Sequence, residues 1–161
     1  MIIAVLIVLR PTSAGGSIVP ARIGQPLASL SLVDTNDQTR QLTDYSGKVI
    51  LVNIWATWCP PCRSEMLDLQ AYYSANKDRG FVVLAINAGD ARQDVRDFAA
   101  TYQLNFPILL DPESNWVKRM AIYDYPTSIL IGRDGLVKTV HIGIYSPANL
   151  KTDIDPLLIR Q

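Results

Sequence analysis

The chain holds two cysteines and no more, Cys59 and Cys62, spaced as C-x-x-C inside Trp55-Ala56-Thr57-Trp58-Cys59-Pro60-Pro61-Cys62. An apolar run, Val49 to Trp55, leads into the pair, and a segment of helical period starts at Pro60. A strand that delivers a sulfur to the first turn of a helix sets it beside N–H groups with no partner of their own, where the helix dipole favours negative charge. Cys59 is therefore placed to be a thiolate. Three chemistries use two cysteines at this spacing. Structural zinc needs four ligands, and beyond the cysteines the chain offers one histidine, His141, so carboxylates or a second chain would have to complete the site. A purely structural bridge closing so short a loop restricts the unfolded chain little. A dithiol/disulfide redox pair asks for nothing the chain lacks.

With 161 residues, 48% of them hydrophobic, the chain suffices for one domain with a sizeable core and is short for two. Fifteen basic and fifteen acidic residues cancel, with no basic stripe to follow a phosphate backbone, which argues against a nucleic-acid partner. At the N-terminus, Ile2 to Leu9 is an unbroken run of eight apolar residues. A bilayer needs about 20. The run has the length of a signal-peptide core, with small residues Thr12-Ser13-Ala14 after it, but no Lys or Arg before it. We read residues 1–25 as part of an export signal or membrane anchor followed by a Pro-, Gly- and Ser-rich linker, with a buried N-terminal strand as the alternative; residues 26–161 form the folded domain.

Within that domain, Leu30 and Leu32 alternate with serines as an edge strand, and Asp34-Thr35-Asn36-Asp37 turns it into a hairpin partner over Thr39 to Leu42. Val49 to Trp55 is apolar on both faces except at Asn53, the pattern of a central strand covered on both sides, and Asn53 must find hydrogen-bond partners there. Cys62, Met66, Leu69 and Tyr73 give an amphipathic helix from Pro60 to about Asp78, with Cys62 on its apolar face and Cys59 at its exposed end. Arg79-Gly80 ends it, and Phe81 to Ile86 is a second buried strand, so the strand–helix–strand unit implies a parallel pair. Asp90 to Tyr102 reads as a helix with Asp90 as N-cap and Gln93 completing a capping box. Phe106 to Leu110 is a short strand, followed by a short helix through Trp116 and Met120. Ser128 to Ile131 and Leu136 to Ile142 flank an Asp-Gly turn as a terminal hairpin. Ser146-Pro147 opens a last helix, which Pro156 should kink or break.

Trp-Cys-Pro-Pro-Cys after an apolar strand, with Tyr125-Pro126-Thr127 opening a terminal hairpin, resembles the thioredoxin superfamily and, more narrowly, the TlpA/ResA-like thiol-disulfide oxidoreductases. The resemblance implies an α/β, thioredoxin-like fold: a central mixed sheet with helices on both faces and an N-terminal β-hairpin extension. It makes Cys59 the nucleophile, Cys62 the resolving thiol and Pro126 a cis-proline facing the disulfide, whose preceding residue, Tyr125, would offer its backbone to a substrate chain. Trp58, Tyr125 and Thr127 are then candidate substrate-binding residues. Relatives of this kind also carry a carboxylate where Asp90 falls, so Asp90 is a candidate for acid-base work as well as for capping. General thioredoxins bury an Asp where this chain has Asn53.

Such exchange needs no cofactor and no metal. The resemblance further implies protein thiols or disulfides as partners, apocytochrome c among them, a membrane thiol-disulfide carrier as electron donor, and an extracytoplasmic bacterial location, periplasmic or tethered. Two rivals remain. A peroxidase of the AhpC type would want a Thr three residues before its cysteine, where Ala56 stands. A Sco-like copper protein would use Cys59, Cys62 and His141 as soft ligands, but carries C-x-x-x-C. His141 is otherwise a surface residue of the last strand.

Overall fold

The computed structural model describes residues 17–159. Seven strands form one sheet in the order β2-β1-β5-β4-β3-β6-β7. At its centre β3 (Val49–Trp55) and β4 (Phe81–Ala88) run parallel, with every residue of both strands buried. β5 (Ile108–Asp111) continues the parallel set, and β6 (Thr127–Ile131) and β7 (Val137–Ile142) add two antiparallel strands at the other side. This is the mixed α/β thioredoxin-like architecture expected from the sequence.

Side chains alternate across β3, so two apolar layers form from one strand. Val49, Leu51 and Trp55 join Met66 and Leu69 of helix α1 (Pro60–Asn76), Val95 of α2 (Arg92–Thr101) and Leu150 and Ile154 of α4 (Pro147–Leu158). Ile50, Val52 and Ile54 face the opposite way, against Trp116, Val117 and Met120 in and after α3 (Asn115–Arg119). Burying each such side chain is worth about 1.5–3 kcal/mol, so the strand that leads into the cysteines is firmly anchored. The parallel β3–β4 pair requires a crossover, and α1 supplies it; Gly80, at φ +85, makes the left-handed turn back into β4.

The N-terminal hairpin is present, but β1 (Ser31–Asp34) is not the edge strand expected. It lies between β2 (Thr39–Gln41) and β5, pairing Val33 with Leu110 and Asp34 with Leu109, and β2 is the edge. Local alternation reports a half-buried face; which long-range neighbour takes the free ladder is decided by the sheet. Ahead of the hairpin, the Val19 amide donates to the Arg119 carbonyl at 2.8 Å, and Gly24 and Gln25 bond to Val137. The apolar run Ile2 to Leu9, and with it the expectation of an export signal or anchor, lies outside the described residues. Among those described, no helix is long and apolar enough to cross a membrane.

Helix α4 also departs from expectation, running through Pro156 to Leu158 without a break. Its apolar stripe, Leu150, Ile154 and Leu158, is buried on both sides of the proline, and Asp155 accepts a 2.6 Å bond from the Tyr72 hydroxyl. Packing on either side of one missing N–H outweighs the local defect. Because Pro156 is exposed and still costs a helical bond, Pro156→Ala is expected to stabilise the domain by about 1–3 kcal/mol. The urea midpoint should rise with an unchanged m-value; a fall would show that the ring itself is needed.

Candidate active site

At the end of β3 the chain turns through Ala56 to Trp58 and enters α1, with Cys59 as the N-cap residue in an extended conformation. Its sulfur accepts the Cys62 amide at 3.3 Å, and its carbonyl accepts the Arg63 amide. Pro60 and Pro61 fill the first helical positions, where no intrahelical N–H bond is lost. Cys59 and Cys62 are joined as a disulfide. Cys62 is fully buried, as its place on the apolar face requires, but Cys59 is only 3% exposed, less than a residue at an open helix end. The order of accessibility matches the expectation; the degree does not, because neighbouring loops close over the helix start.

The loop before β6 is the nearest of these neighbours. The Tyr125–Pro126 bond is cis, and the Tyr125 carbonyl oxygen lies 3.7 Å from Cys59 Sγ. Trp58 is 66% exposed, its ring 6.0 Å from that of Tyr125, so the two aromatics flank the disulfide as an apolar rim. Thr127, expected at the substrate surface, is buried, and its hydroxyl donates to the Asp124 carbonyl at 2.7 Å. It closes the loop that carries Tyr125.

Asp90 does not cap α2. The N-cap is Ala91, without a side-chain bond, and Gln93 pairs with Asp97 rather than completing a capping box. Asp90 Oδ2 instead accepts the Thr57 amide and the Asn87 side-chain amide, each at 2.7 Å, while the Asp90 amide donates to Asn87 Oδ1. The carboxylate thus ties the end of β4 to the loop two residues ahead of Cys59. A helix-start pattern in sequence cannot reveal that a stronger donor waits on a loop 33 positions away.

The group that sequence reasoning missed is Glu65. It sits on α1 three residues after Cys62 and is fully buried. Residues at i and i+3 share a helix face, about 5–6 Å apart at Cβ, so Glu65 stands on the face of α1 that carries Cys62. Asn53 Nδ2 donates to Glu65 Oε2 and to Ser128 Oγ, both at 3.0 Å, and the Tyr145 amide donates to Glu65 Oε1 at 2.6 Å. Asn53 thus finds the partners its central position demanded. Burial pushes the Glu65 carboxyl up to about 7, against the opposing pull of the Tyr145 and Asn53 donors; Asp68 adds to the rise. A signal was available: Glu65 lies one helical step from Cys62 and directly before Met66, on the stripe that should be apolar. His141 lies partly exposed on β7, as expected of a residue on the last strand, and stacks on Tyr145, ring centroids 4.7 Å apart. Among the described residues no three His, Cys, Asp or Glu side chains converge as a metal site.

A carboxyl that binds its proton more tightly folded than unfolded stabilises the native state most at low pH. For Glu65 that contribution is complete below the ordinary value of 4.5 and is lost as pH climbs to about 7. Glu65→Gln should remove it, flattening the stability profile between those values by about 3 kcal/mol. Urea titrations of both proteins across that range check this; parallel profiles would place the carboxyl at an ordinary value.

Residues 23–140 match the family model described as AhpC/TSA family. The chain is 30% identical over 135 residues to the thiol-disulfide oxidoreductase ResA of Geobacillus thermodenitrificans, covering 84% of this chain and 78% of that protein. It is 34% identical over 123 residues to ResA of Halalkalibacterium halodurans, covering 76% and 70%. Among solved structures it is similar to a protein from Chlorobium tepidum described as a putative thiol:disulfide interchange protein DsbE, with TM-score 0.79 and 28% identity over 86% of this chain and 99% of that one. A redox pair at a helix start on this fold, in a chain this close to such relatives, has one assignment: the protein belongs to the AhpC/TSA family and, within it, to the ResA-like thiol-disulfide oxidoreductases.

Proposed function

We propose that the chain is a disulfide reductase acting outside the bacterial cytoplasm, with Cys59 as nucleophile, Cys62 as resolving thiol and Glu65 as the group that takes the proton from Cys62. The observation that carries this reading is the Cys59–Cys62 disulfide at the start of α1, with the buried Glu65 carboxyl on the same helix face as Cys62. A base works best when its pKa lies near the working pH, and a buried thiol needs one.

In the reduced enzyme, the Cys59 thiolate is stabilised by the Cys62 amide and the first turn of α1. It attacks one sulfur of a partner disulfide; that S–S bond breaks, the partner's other sulfur leaves as a thiolate, and a mixed disulfide forms. Glu65 then accepts the Cys62 proton, and the resulting thiolate attacks Cys59 Sγ. The mixed bond breaks, the second partner sulfur is released, and the Cys59–Cys62 disulfide remains. Two electrons have passed to the partner. Trp58 and Tyr125 receive it, the Tyr125 carbonyl offering a backbone acceptor beside the reacting sulfur. Asp90 acts as a positioning residue through the Thr57 amide.

The relatives' name, thiol-disulfide oxidoreductase, supports protein disulfides as substrates. Haem-site cysteines of apocytochrome c are the proposed targets, a membrane thiol-disulfide carrier the proposed electron donor, and residues 1–25 the proposed export signal or tether. Peroxide reduction is the weaker reading: the position three residues before Cys59 holds Ala56, fully buried and without a hydroxyl.

Cys62→Ser should trap a covalent partner that runs at higher mass on non-reducing gels and disappears with dithiothreitol; no trapped species from a periplasmic extract would remove this cycle. The reduction potential of the pair is expected nearer −270 than −120 mV, the span of such proteins, and a value at the oxidising end would make the enzyme an oxidant. Glu65→Gln should slow resolution of a preformed mixed disulfide on the order of 100-fold at pH 7, the usual scale for a lost general base.

A further inference from the structure

One peptide group joins the buried carboxyl to the edge of the sheet. The Ile144–Tyr145 peptide donates through its N–H to Glu65 Oε1 at 2.6 Å, and its carbonyl oxygen lies 3.0 Å from His141 Nε2. A carbonyl only accepts, so this partner assigns the proton to Nε2. His141 is held in place by its stack on the Tyr145 ring, centroids 4.7 Å apart and planes 10° from parallel, and by the strand register that sets it opposite Ser128, itself opposite Asn53. The turn between β7 and α4 that makes this possible passes through Gly143 at φ +90.

We propose that His141 is a positioning residue for Glu65: by donating to the oxygen of the Ile144–Tyr145 peptide it holds and polarises the N–H that favours the charged carboxylate. This rests on the reading of Glu65 as the proton acceptor for Cys62 but adds a component to it. Hydrogen bonds in series strengthen one another, so a donor at the carbonyl makes the amide a better donor at its far end. The other groups around Glu65 do not supply this. Asn53 and Ser128 belong to the row on β3 and β6, Asp68 on α1 opposes the charge, and the Tyr145 hydroxyl is taken by Asp153 of α4 at 2.5 Å. The single histidine therefore connects the active-site carboxyl to a partly exposed place on the last strand, and protonation of its ring should strengthen the same bond.

The test uses the whole reduced protein with Glu carboxyl carbons labelled, so that Glu65 is titrated by NMR rather than through activity. His141→Phe keeps the ring stack and removes the donor; the Glu65 midpoint should rise by about half a pH unit. His141→Gln supplies a donor without a titrating ring and should return the midpoint toward wild type. Because coupling is reciprocal, Glu65→Gln should lower the midpoint of the His141 ring itself, a readout that needs no change at position 141. A Glu65 midpoint unmoved in His141→Phe, or a His141 midpoint indifferent to Glu65→Gln, overturns the proposal. If instead the midpoints move as stated while Glu65→Gln leaves mixed-disulfide resolution at its wild-type rate, the positioning link stands and the role of Glu65 as base falls.

Discussion

The bond on which the site depends is a short one, from the amide of Cys62 to the sulfur of Cys59. It exists because α1 starts with Pro60 and Pro61, which have no N–H, leaving the Cys62 amide as the first donor of the helix, and because β3 delivers Cys59 to that spot. Everything else in the fold keeps these two facts in register. β3 is buried along its whole length between two apolar layers, and α1 lies across one of them through Met66 and Leu69. The strand and helix cannot slide relative to each other without exposing core, so the sulfur stays where the Cys62 amide points.

Around this centre the protein maintains polar groups in places that would otherwise be apolar. Asn53, Ser128 and Glu65 form a cluster in which every member is buried. Such a cluster is tolerable only when its members satisfy one another, and nearly all do: Asn53 Oδ1 is the one atom of the three side chains without a partner. The arrangement separates two requirements. In the proposed cycle the nucleophile is tuned by the Cys62 amide, and the resolving thiol has a carboxyl of its own, adjusted by the proposed link to the last strand. Asp90 stands apart from both, holding the loop ahead of Cys59 through Thr57.

Much of the architecture was legible from apolar patterning because burial leaves a periodic trace. β3, β4, α1 and the β6–β7 hairpin fall where the sequence places them, and the cysteine motif with Tyr125-Pro126-Thr127 pointed to the fold. What was misread shares a feature. Asp90 and Pro156 each have an ordinary local reading, as a cap and a helix breaker. Asp90 was reassigned by a partner distant in sequence and Pro156 by packing on both sides. Glu65 was missed for the converse reason: its place on the apolar stripe of α1 hints at burial, but the donors that make burial tolerable come from β3 and the β7–α4 turn docked around it.

The sequence by itself determined that two sulfurs sit within reach of each other at the beginning of a helix, since spacing, flanking prolines and the preceding apolar run are all local. Tertiary structure alone decided which carboxyl of α1 is buried with its proton affinity raised. Proton affinity depends on solvent removed and donors supplied, and those come from strands and turns as far away in the chain as Tyr145, brought to Glu65 only when the sheet closes.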